Sequence, residues 1–578
     1  MILQALTDLY EQLAAQGKLA GPGWSQVKVT YALYLNDQGE LTQVACLKQE
    51  HSQGKKTVLL PRTLSLPSPV KRSSGVAANF LCDNSGYLLG IDNKGKPERS
   101  RACFEAAAQL HRKILTGVDS PVARAILSYF DSWDPDKARE CPALVEVLED
   151  ILSGANLIFR YDGQFAQEDP KIRRAWENYF NSSGGDGPEM VCLVTGRRGH
   201  VESVHPAIKN VAGAQSSGAA LVSFNAPAFC SYGKEQNYNA PTSQYATFAY
   251  TTALNYLLSD KQRVCRLGDA TVVCWAKSGE PEYTDFFSDS FFDLEGHYEE
   301  KDLQSMMASL CRGDPVHFEE KQLDPNMEFY VLGLSPNAAR LSVRFFLRNS
   351  FGAFIANAQA HQKRLEIVRP AFDKFKTLPL WAMLRETVNQ NSRDKSPAPN
   401  LAGETIRAIL TDTPYPATLL QGVQLRIRAE REINRGRAAI LKANYLKKPH
   451  PEVPKEVLTV ALNRESTNVP YTLGRLFSLL EAIQSSANPN INTTIKDRYF
   501  NSASATPARV FPTLVNLSQK HLKKLSGGLR VSYDRQITEL MAKLPETFPA
   551  QLSLPQQGAF QLGYYHQTQA RYEKREEN

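Results

Sequence analysis

The chain has 578 residues, 42% of them hydrophobic and 22% charged, which excludes a disordered polypeptide and asks for more than one ordinary core. Its net charge of +7 is small for this length, so the placement of charge carries more information than the total. There is no run of about 18 apolar residues to span a membrane, and nine scattered cysteines, none in a C-x-x-C pair, read as reduced thiols of a cytoplasmic protein without a zinc site.

In chain order, Ile2, Leu3, Leu6, Leu9, Tyr10 and Leu13 fall on one face of an opening amphipathic helix. Asp8 and Glu11 interrupt it, which a signal peptide would not tolerate. Over residues 26–35, Val27, Val29, Tyr31, Leu33 and Leu35 alternate with Lys28, Thr30 and Tyr34. Asn36-Asp37-Gln38-Gly39 then supplies a turn into a second strand over 41–47, predicting a β-hairpin. A further strand pair is predicted over 79–90, turning at Asp83-Asn84-Ser85-Gly86. Helical spacing covers 101–130 and, more briefly, 142–153. Strands are expected at 190–195, 220–224, 270–276, 328–332 and 341–347, with helices at 243–258 and 351–363. Their irregular alternation lacks a βαβ period, so residues 1–390 read as an α+β region with mixed sheets. Residues 391–404, rich in Pro, Ser, Asn and Gly, read as a linker. Beyond it, Tyr471, Leu473, Leu476, Phe477, Leu480 and Ile483 form one apolar face, and Phe511, Leu514, Val515, Ser518, Leu522 and Leu525 another. An all-α bundle is therefore expected over 405–578.

No catalytic pattern emerges: H-E-x-x-H, G-x-S-x-G and acidic triplets at metal spacing are absent, so neither metal nor cofactor is expected. Gly213 and Gly218 make a G-x-x-x-x-G, but Ala219-Ala220 replaces the lysine and hydroxyl that a nucleotide phosphate loop needs. Ser216 and Ser217 beside it suit an anion-binding nest or a plain tight turn. The surrounding stretch, 213–258, holds nine Ser or Thr with one lysine, one glutamate and no histidine. That composition suits contact through neutral hydrogen bonds, with Gln215, Ser216, Ser217, Asn225, Lys234, Gln236 and Asn239 as candidate contacts to nucleic acid or to a neighbouring subunit. In 71–79, Lys71 and Arg72 precede Ser73, Ser74 and Gly75. Small residues there allow close approach to a phosphate, and Asn79 offers both a donor and an acceptor to a base edge. Residues 426–448 carry eight Lys or Arg against two Glu, whereas 280–302 is acidic. Read as one helix, the first places Arg426 and Arg437 three turns apart on a shared face. Arg426, Arg428, Arg431, Arg435, Arg437 and Lys442, with Lys496, Arg498, Lys520, Lys523 and Lys524, are candidates to track a phosphate backbone. Two solvated faces are the alternative. Tyr499, Tyr564 and Tyr565 are stacking candidates or core.

Several segments, in consistent order along nearly the whole chain, resemble the large subunit of the type I-C CRISPR Cascade complex. They are MILQAL at the start, KRSSGVAANFLCDNSGYLLG at 71–90, CLVTG at 192–196, the 213–258 stretch, GDATVVCWA at 268–276 and LGLSPNAARLSVRFF at 332–346. YTLGRLFSLLEAIQ at 471–484, TIKDRYFNSASATPARVFP at 494–512 and LGYYHQTQARY at 562–572 follow. The resemblance implies a non-catalytic subunit of an RNA-guided antiviral complex. Such a subunit recognises the protospacer-adjacent motif in double-stranded DNA, assists duplex opening and R-loop formation, supports the displaced strand and recruits a helicase-nuclease. Implied partners are guide RNA, target DNA, the backbone, handle-processing and small subunits, and that nuclease, with no membrane. It also implies that 460–578 resembles a separately translated small subunit; since the only methionine after Met383 is Met541, too late to leave a bundle, a non-AUG start near Val460 is expected. The motif reader is then 71–79, the later loop, or both.

Overall fold

Helix α1 (Ile2–Ala15) forms where its spacing predicts and buries Leu6, Leu9, Tyr10 and Leu13. The computed structural model describes every residue except 54–55, 71–74, 94, 183–186, 293–299, 374–375 and 573–578. Two units are distinguished: Met1–Pro206 with Ser223–Ala253, and Ala207–Val222 with Leu254–Asn578.

In the first unit, the strand expected over 26–35 is two strands, β1 (Trp24–Val29) and β2 (Tyr31–Leu35). They part at Thr30, whose N–H donates to the Asn156 carbonyl at 2.9 Å. The Asn36–Gly39 turn leads to β3 (Leu41–Cys46), as expected. Gly39 sits at φ +81°, and a Cβ there would lie 2.4 Å from the Tyr129 backbone nitrogen, so only glycine fits. Strands β4 (Gln49–Gln53) and β5 (Lys56–Leu60) pair with each other, and β6 (Arg62–Pro67) returns antiparallel to β1.

No hairpin forms over 79–90. Strand β7 (Cys82–Asn84) is short, and Asn84 caps a single turn, α2 (Ser85–Leu88), by accepting the Gly86 N–H at 3.0 Å. Asp-Asn-Ser-Gly serves a hairpin turn and a helix cap alike, and burial of Tyr87, Leu88 and Leu89 favours the helix. Helices α3 (Pro97–Leu115) and α4 (Pro121–Ser132) occupy the predicted helical stretch, followed by α5 (Leu148–Leu152). Strand β8 (Asn156–Tyr161) runs parallel to β2 and antiparallel to β9 (Gln164–Phe165), giving a mixed sheet in the order β3-β2-β8-β7. Leu33, Leu35 and Phe159 face Phe104 and Phe130 of the helices. On the other face, Ala32 and Ile158 meet Val29, Leu64 and Leu66 of the β1–β6 ribbon. Helix α6 (Pro170–Ser182), the hairpin β10 (Glu189–Val191) with β11 (Arg198–His200), and α7 (Gln244–Ser259) follow.

After Ala207–Val222 and the end of α7, the second unit continues with β12 (Cys265–Leu267) and β13 (Ala270–Ala276). Then come α8 (Pro281–Phe287), α9 (Glu300–Arg312), the pair β14 (Val316–Phe318) and β15 (Lys321–Leu323), and the long β16 (Glu328–Asn337) and β17 (Arg340–Ser350). Every residue of β13 is buried, which puts it inside an antiparallel sheet ordered β12-β13-β16-β17. The strand expected at 220–224 supplies only an isolated bridge from Ala220 to Arg340. The acidic stretch is not an open face where it is described. Helix α8 buries Phe286 and Phe287, Asp285 pairs with Arg263 and Glu280 with Lys321.

Helices α10 (Phe351–Leu365) and α11 (Leu380–Arg385) precede the predicted linker, which is a loop leading into α12 (Leu401–Leu410). From there the described chain is helical: α13 (Ala417–Glu430), α14 (Arg435–Lys447), α15 (Val469–Ala487), α16 (Ile495–Ala505), α17 (Pro507–Leu522), α18 (Gly527–Met541) and α19 (Leu554–Ala570). The architecture is α+β followed by an all-α region, as the patterning predicts. Among the described residues no helix is long and apolar enough to cross a membrane.

Three buried histidines make this fold acid-sensitive. Burial lowers the pKa of His111 to about 4, of His361 to about 3 and of His566 to about 4, the last two with help from Arg364 and Lys442. Each is neutral when folded but takes a proton below about 6.5 when unfolded, so stability falls as pH drops from 6.5 towards 4. The expected loss is roughly 1–2 kcal/mol per histidine at about pH 5. Melting curves between pH 5 and 8 check this, and a midpoint that is flat below pH 6.5 would contradict it.

Candidate nucleic-acid interface

Lys71, Arg72, Ser73 and Ser74 lie outside the described residues, but the stem that carries them is well defined. The Val70 N–H donates to Asn79 Oδ1 at 2.9 Å, closing the loop. The Asn79 N–H donates to Asp83 Oδ2 at 2.9 Å, and the Ala77 N–H to the Tyr87 hydroxyl at 3.2 Å. Leu81, held at φ +63°, donates its N–H to His111 Nε2 at 3.0 Å, while His111 Nδ1 lies 2.7 Å from the Ala107 carbonyl. These contacts assign His111 the neutral Nδ1–H form and anchor the stem to α3. Gly75 is exposed with open space around it. Asn79 also has a structural part: its Oδ1 accepts the Val70 N–H, which uses one of that oxygen's two lone pairs.

The candidates in 213–258 divide between the units. Gln215, Ser216 and Ser217 are exposed at a tight turn in which the Gly218 N–H donates to the Gln215 carbonyl at 2.9 Å. In the other unit, Asn225, Lys234 and Gln236 are exposed, but Asn239 is an internal clamp. Its Oδ1 accepts the Ser231 N–H at 2.8 Å, and its Nδ2 donates to the carbonyls of Lys234 at 3.1 Å and Gln236 at 2.9 Å. The clamp holds Tyr232 and Gln236 at positive φ and leaves Tyr232 98% exposed. Beside this loop, Cys192 escaped the sequence reading. Burial pushes its thiol up, but hydrogen bonds from Ser243 and Thr195 outweigh that and bring it to about 7. Its sulfur accepts the Ser243 N–H at 3.2 Å, tying the CLVTG turn to the start of α7. A cysteine without a cysteine or histidine at ligand spacing carries no signal for that role.

The cation-rich stretch 426–448 is the largest correction. It is two helices, not one, because Arg431 takes a left-handed conformation at φ +56° between α13 and α14. Arg426 and Arg437 therefore share no helical face. Arg426 pairs with Glu430 at 3.3 Å. Arg437 is buried, donating from Nε to Glu386 at 3.1 Å and pairing through Nη2 with Glu430. Arg435 is buried against Asp373 at 2.9 Å. Lys442 donates to the carbonyls of Glu366 at 2.6 Å and Arg364 at 3.1 Å, and burial pulls its ammonium pKa down. Arg435, Arg437 and Lys442 hold the helices together and are buried away from a backbone phosphate, whereas Arg426 is half-buried and paired within its own helix.

The remaining cations are on the surface. Arg428 donates to Gln557 at 2.9 Å, and its carbonyl accepts from Asn501, one turn beyond Arg498 in α16. Lys496 is half-buried, while Arg431, Arg498, Lys520, Lys523 and Lys524 are exposed. Among the described residues, Arg428, Arg431, Arg498, Lys520, Lys523 and Lys524 form no ion pair. Tyr564 and Tyr565 are core: their hydroxyls donate to Glu481 and to the Val368 carbonyl, each at 2.6 Å.

No curated protein matches the chain. The family model described as CRISPR-associated protein (Cas_Csd1) matches residues 6–572, nearly the whole length and every segment of the resemblance beyond the opening residues. The chain therefore belongs to the CRISPR-associated Cas_Csd1 family, the large subunits of type I-C Cascade.

Proposed function

We propose that this Cascade subunit is non-catalytic and recognises the protospacer-adjacent motif in duplex DNA through residues 71–79. The observation that carries the reading is the stem beneath 71–74, where Asn79, Asp83, Tyr87 and His111 hold both ends of a cation-bearing loop. Base pairing with the guide reads the long sequence, and the protein reads the motif and the backbone. Residues 1–390 carry motif recognition and nuclease recruitment in this scheme. The helical region 405–578 supports the displaced strand through Arg428, Arg431, Arg498, Lys520, Lys523 and Lys524, and its part from 460 onwards corresponds to the small subunit. The exposed Gln215–Ser217 turn and the Asn225–Gln236 surface are contacts to guide RNA or to neighbouring subunits.

A gel shift tests the reading. Guide-loaded complex, assembled with and without this chain, is offered two duplexes that differ only in the flanking motif. Motif preference should appear only with the chain present and should fall about tenfold or more in Lys71→Ala or Arg72→Ala, by analogy with the loss of a positioned charged contact. Asn79→Ala should act through the stem, weakening binding to both duplexes alike. Equal binding to both duplexes with and without the chain would sink the proposal.

A further inference from the structure

In the first unit, two arginines converge on one aromatic ring at the end of the β1–β6 ribbon. The Arg160 guanidinium lies 4.8 Å from the Phe165 ring centroid and 5.1 Å from that of Tyr34. The Arg62 guanidinium lies 5.5 Å from the same Phe165 ring. Phe165 is 4% exposed and seated among Val29, Leu64 and Ile158, so the platform under both cations is fixed.

The sequence places Arg160 deliberately. Asp162 and Gly163 both take positive φ, a two-residue turn of the kind that joins twisted antiparallel strands, here β8 and β9. That turn aims the Gly163 carbonyl at Arg160, which donates to it from Nε at 3.0 Å and from Nη2 at 2.7 Å. Nη1 donates to the Tyr34 hydroxyl at 2.6 Å. Three of the five guanidinium N–H groups are thereby engaged, leaving two for an outside acceptor. Glu168, just beyond Phe165, is occupied in accepting the Phe165 N–H at 3.0 Å. Among the described residues neither Arg62 nor Arg160 forms an ion pair, and Arg62 makes no hydrogen bond through its side chain.

We infer that Arg62 and Arg160 form a phosphodiester clamp for a nucleic-acid strand. Arg160, half-buried with its orientation set by three hydrogen bonds, binds a phosphate without reordering, and the half-buried Arg62 guanidinium lies on the same ring. Both cations lie on one ring and so within about 10 Å of each other, while a strand carries one charge per ~3.4 Å of axis, so the pair spans neighbouring phosphates. The inference rests on the reading that this subunit works on nucleic acid. It adds a site at the end of the β1–β6 ribbon, separate in sequence from 71–79 and from the helical cations. The strand is guide RNA or target DNA, two sources of the same chemistry.

The test measures binding of the full chain to labelled single-stranded RNA, single-stranded DNA and duplex DNA of one sequence, by fluorescence anisotropy across a salt series. Arg62→Gln should weaken binding to one of the three several-fold and lower its log–log salt slope by about 0.7 for a single strand or about 0.9 for duplex. Arg62→Lys should keep the slope and lose part of the affinity. The class affected identifies the strand. Arg160→Gln should behave like Arg62→Gln. Should it fail to fold, Arg62→Gln decides alone, since Arg62 anchors nothing by hydrogen bonding. Unchanged affinity and slope in folded Arg62→Gln, with wild type binding normally, would overturn the clamp but not the functional reading. Absence of binding by wild type, alone and in the assembled complex, would overturn both.

Discussion

Alanine at Gly474 or at Gly563 is expected to force α15 and α19 apart and to cost about 3 kcal/mol or more. A Cβ built at Gly474 would lie 1.9 Å from the Phe560 carbonyl oxygen, and one at Gly563 would lie 2.1 Å from the Tyr471 carbonyl oxygen. Both obstacles are backbone, so no side-chain rotation relieves them. The helices must separate, and the Phe477, Phe500, Phe560 and Tyr564 cluster, with ring centroids 5.7–6.1 Å apart, loses contact with them. The separation also pulls on the buried pair of Tyr471 hydroxyl and His566 Nδ1 at 2.9 Å. Gly527→Ala is the control: nothing lies within 4 Å of its Cβ, and alanine suits the first turn of α18. Chemical denaturation of the full chain should show a large loss for the first two and none for the third. Equal midpoints for Gly474→Ala and wild type would mean that the two helices do not pack this closely.

Arg437→Met is expected to destabilise the helical region by about 3–5 kcal/mol, because it leaves two carboxylates facing a buried gap. The Arg437 side chain is 3% exposed, against 20% for Glu386 and 24% for Glu430. The network is closed: Asn434 donates to both Glu386 oxygens at 2.9 Å, accepts the Arg437 N–H at 2.9 Å, and Arg437 Nη1 donates to the Glu432 carbonyl at 2.9 Å. Methionine fills much of the volume, so the loss reports charge and hydrogen bonding more than a cavity. Arg498→Ala makes the opposite prediction. It should leave the melting midpoint within about 0.5 kcal/mol of wild type while reducing the salt dependence of DNA binding. Were Arg437→Met to remain as stable as wild type, the ion-pair network would be incidental to the packing.

The contrast between these two arginines shows where the sequence was readable. Both sit in cation-rich stretches, and counting charge assigned both to a phosphate-tracking face. Burial separates them: the chain reversal at Arg431, a left-handed residue that is not glycine, sets Arg437 against Glu386 and Glu430, while Arg498 stays exposed. Asn79 and Asn239 carry a second ambiguity: each has the chemistry to meet a ligand, and each also closes its own loop. Asn84 shows the same ambiguity locally, since a turn and a helix cap ask for the same side chain.

What the sequence determined by itself is what depends on periodicity and on local order. The amphipathic faces of α1, α15 and α17, the turn at Gly39, the buried run of β13 and the change from mixed to helical structure after residue 400 all follow from residues a few positions apart. The ordered segments that carry the family resemblance are also local, and they sufficed to identify the family. Only the tertiary structure decided which polar groups are left for a partner. The two arginines on Phe165 come from strands about 100 residues apart, the Gly474–Gly563 contact joins helices about 90 apart, and Arg437 finds Glu386 beyond the whole of α12 and α13. Whether a cation is buried in an ion pair or open to a phosphate depends on such long-range contacts, because desolvation and pairing, not residue type, set its availability.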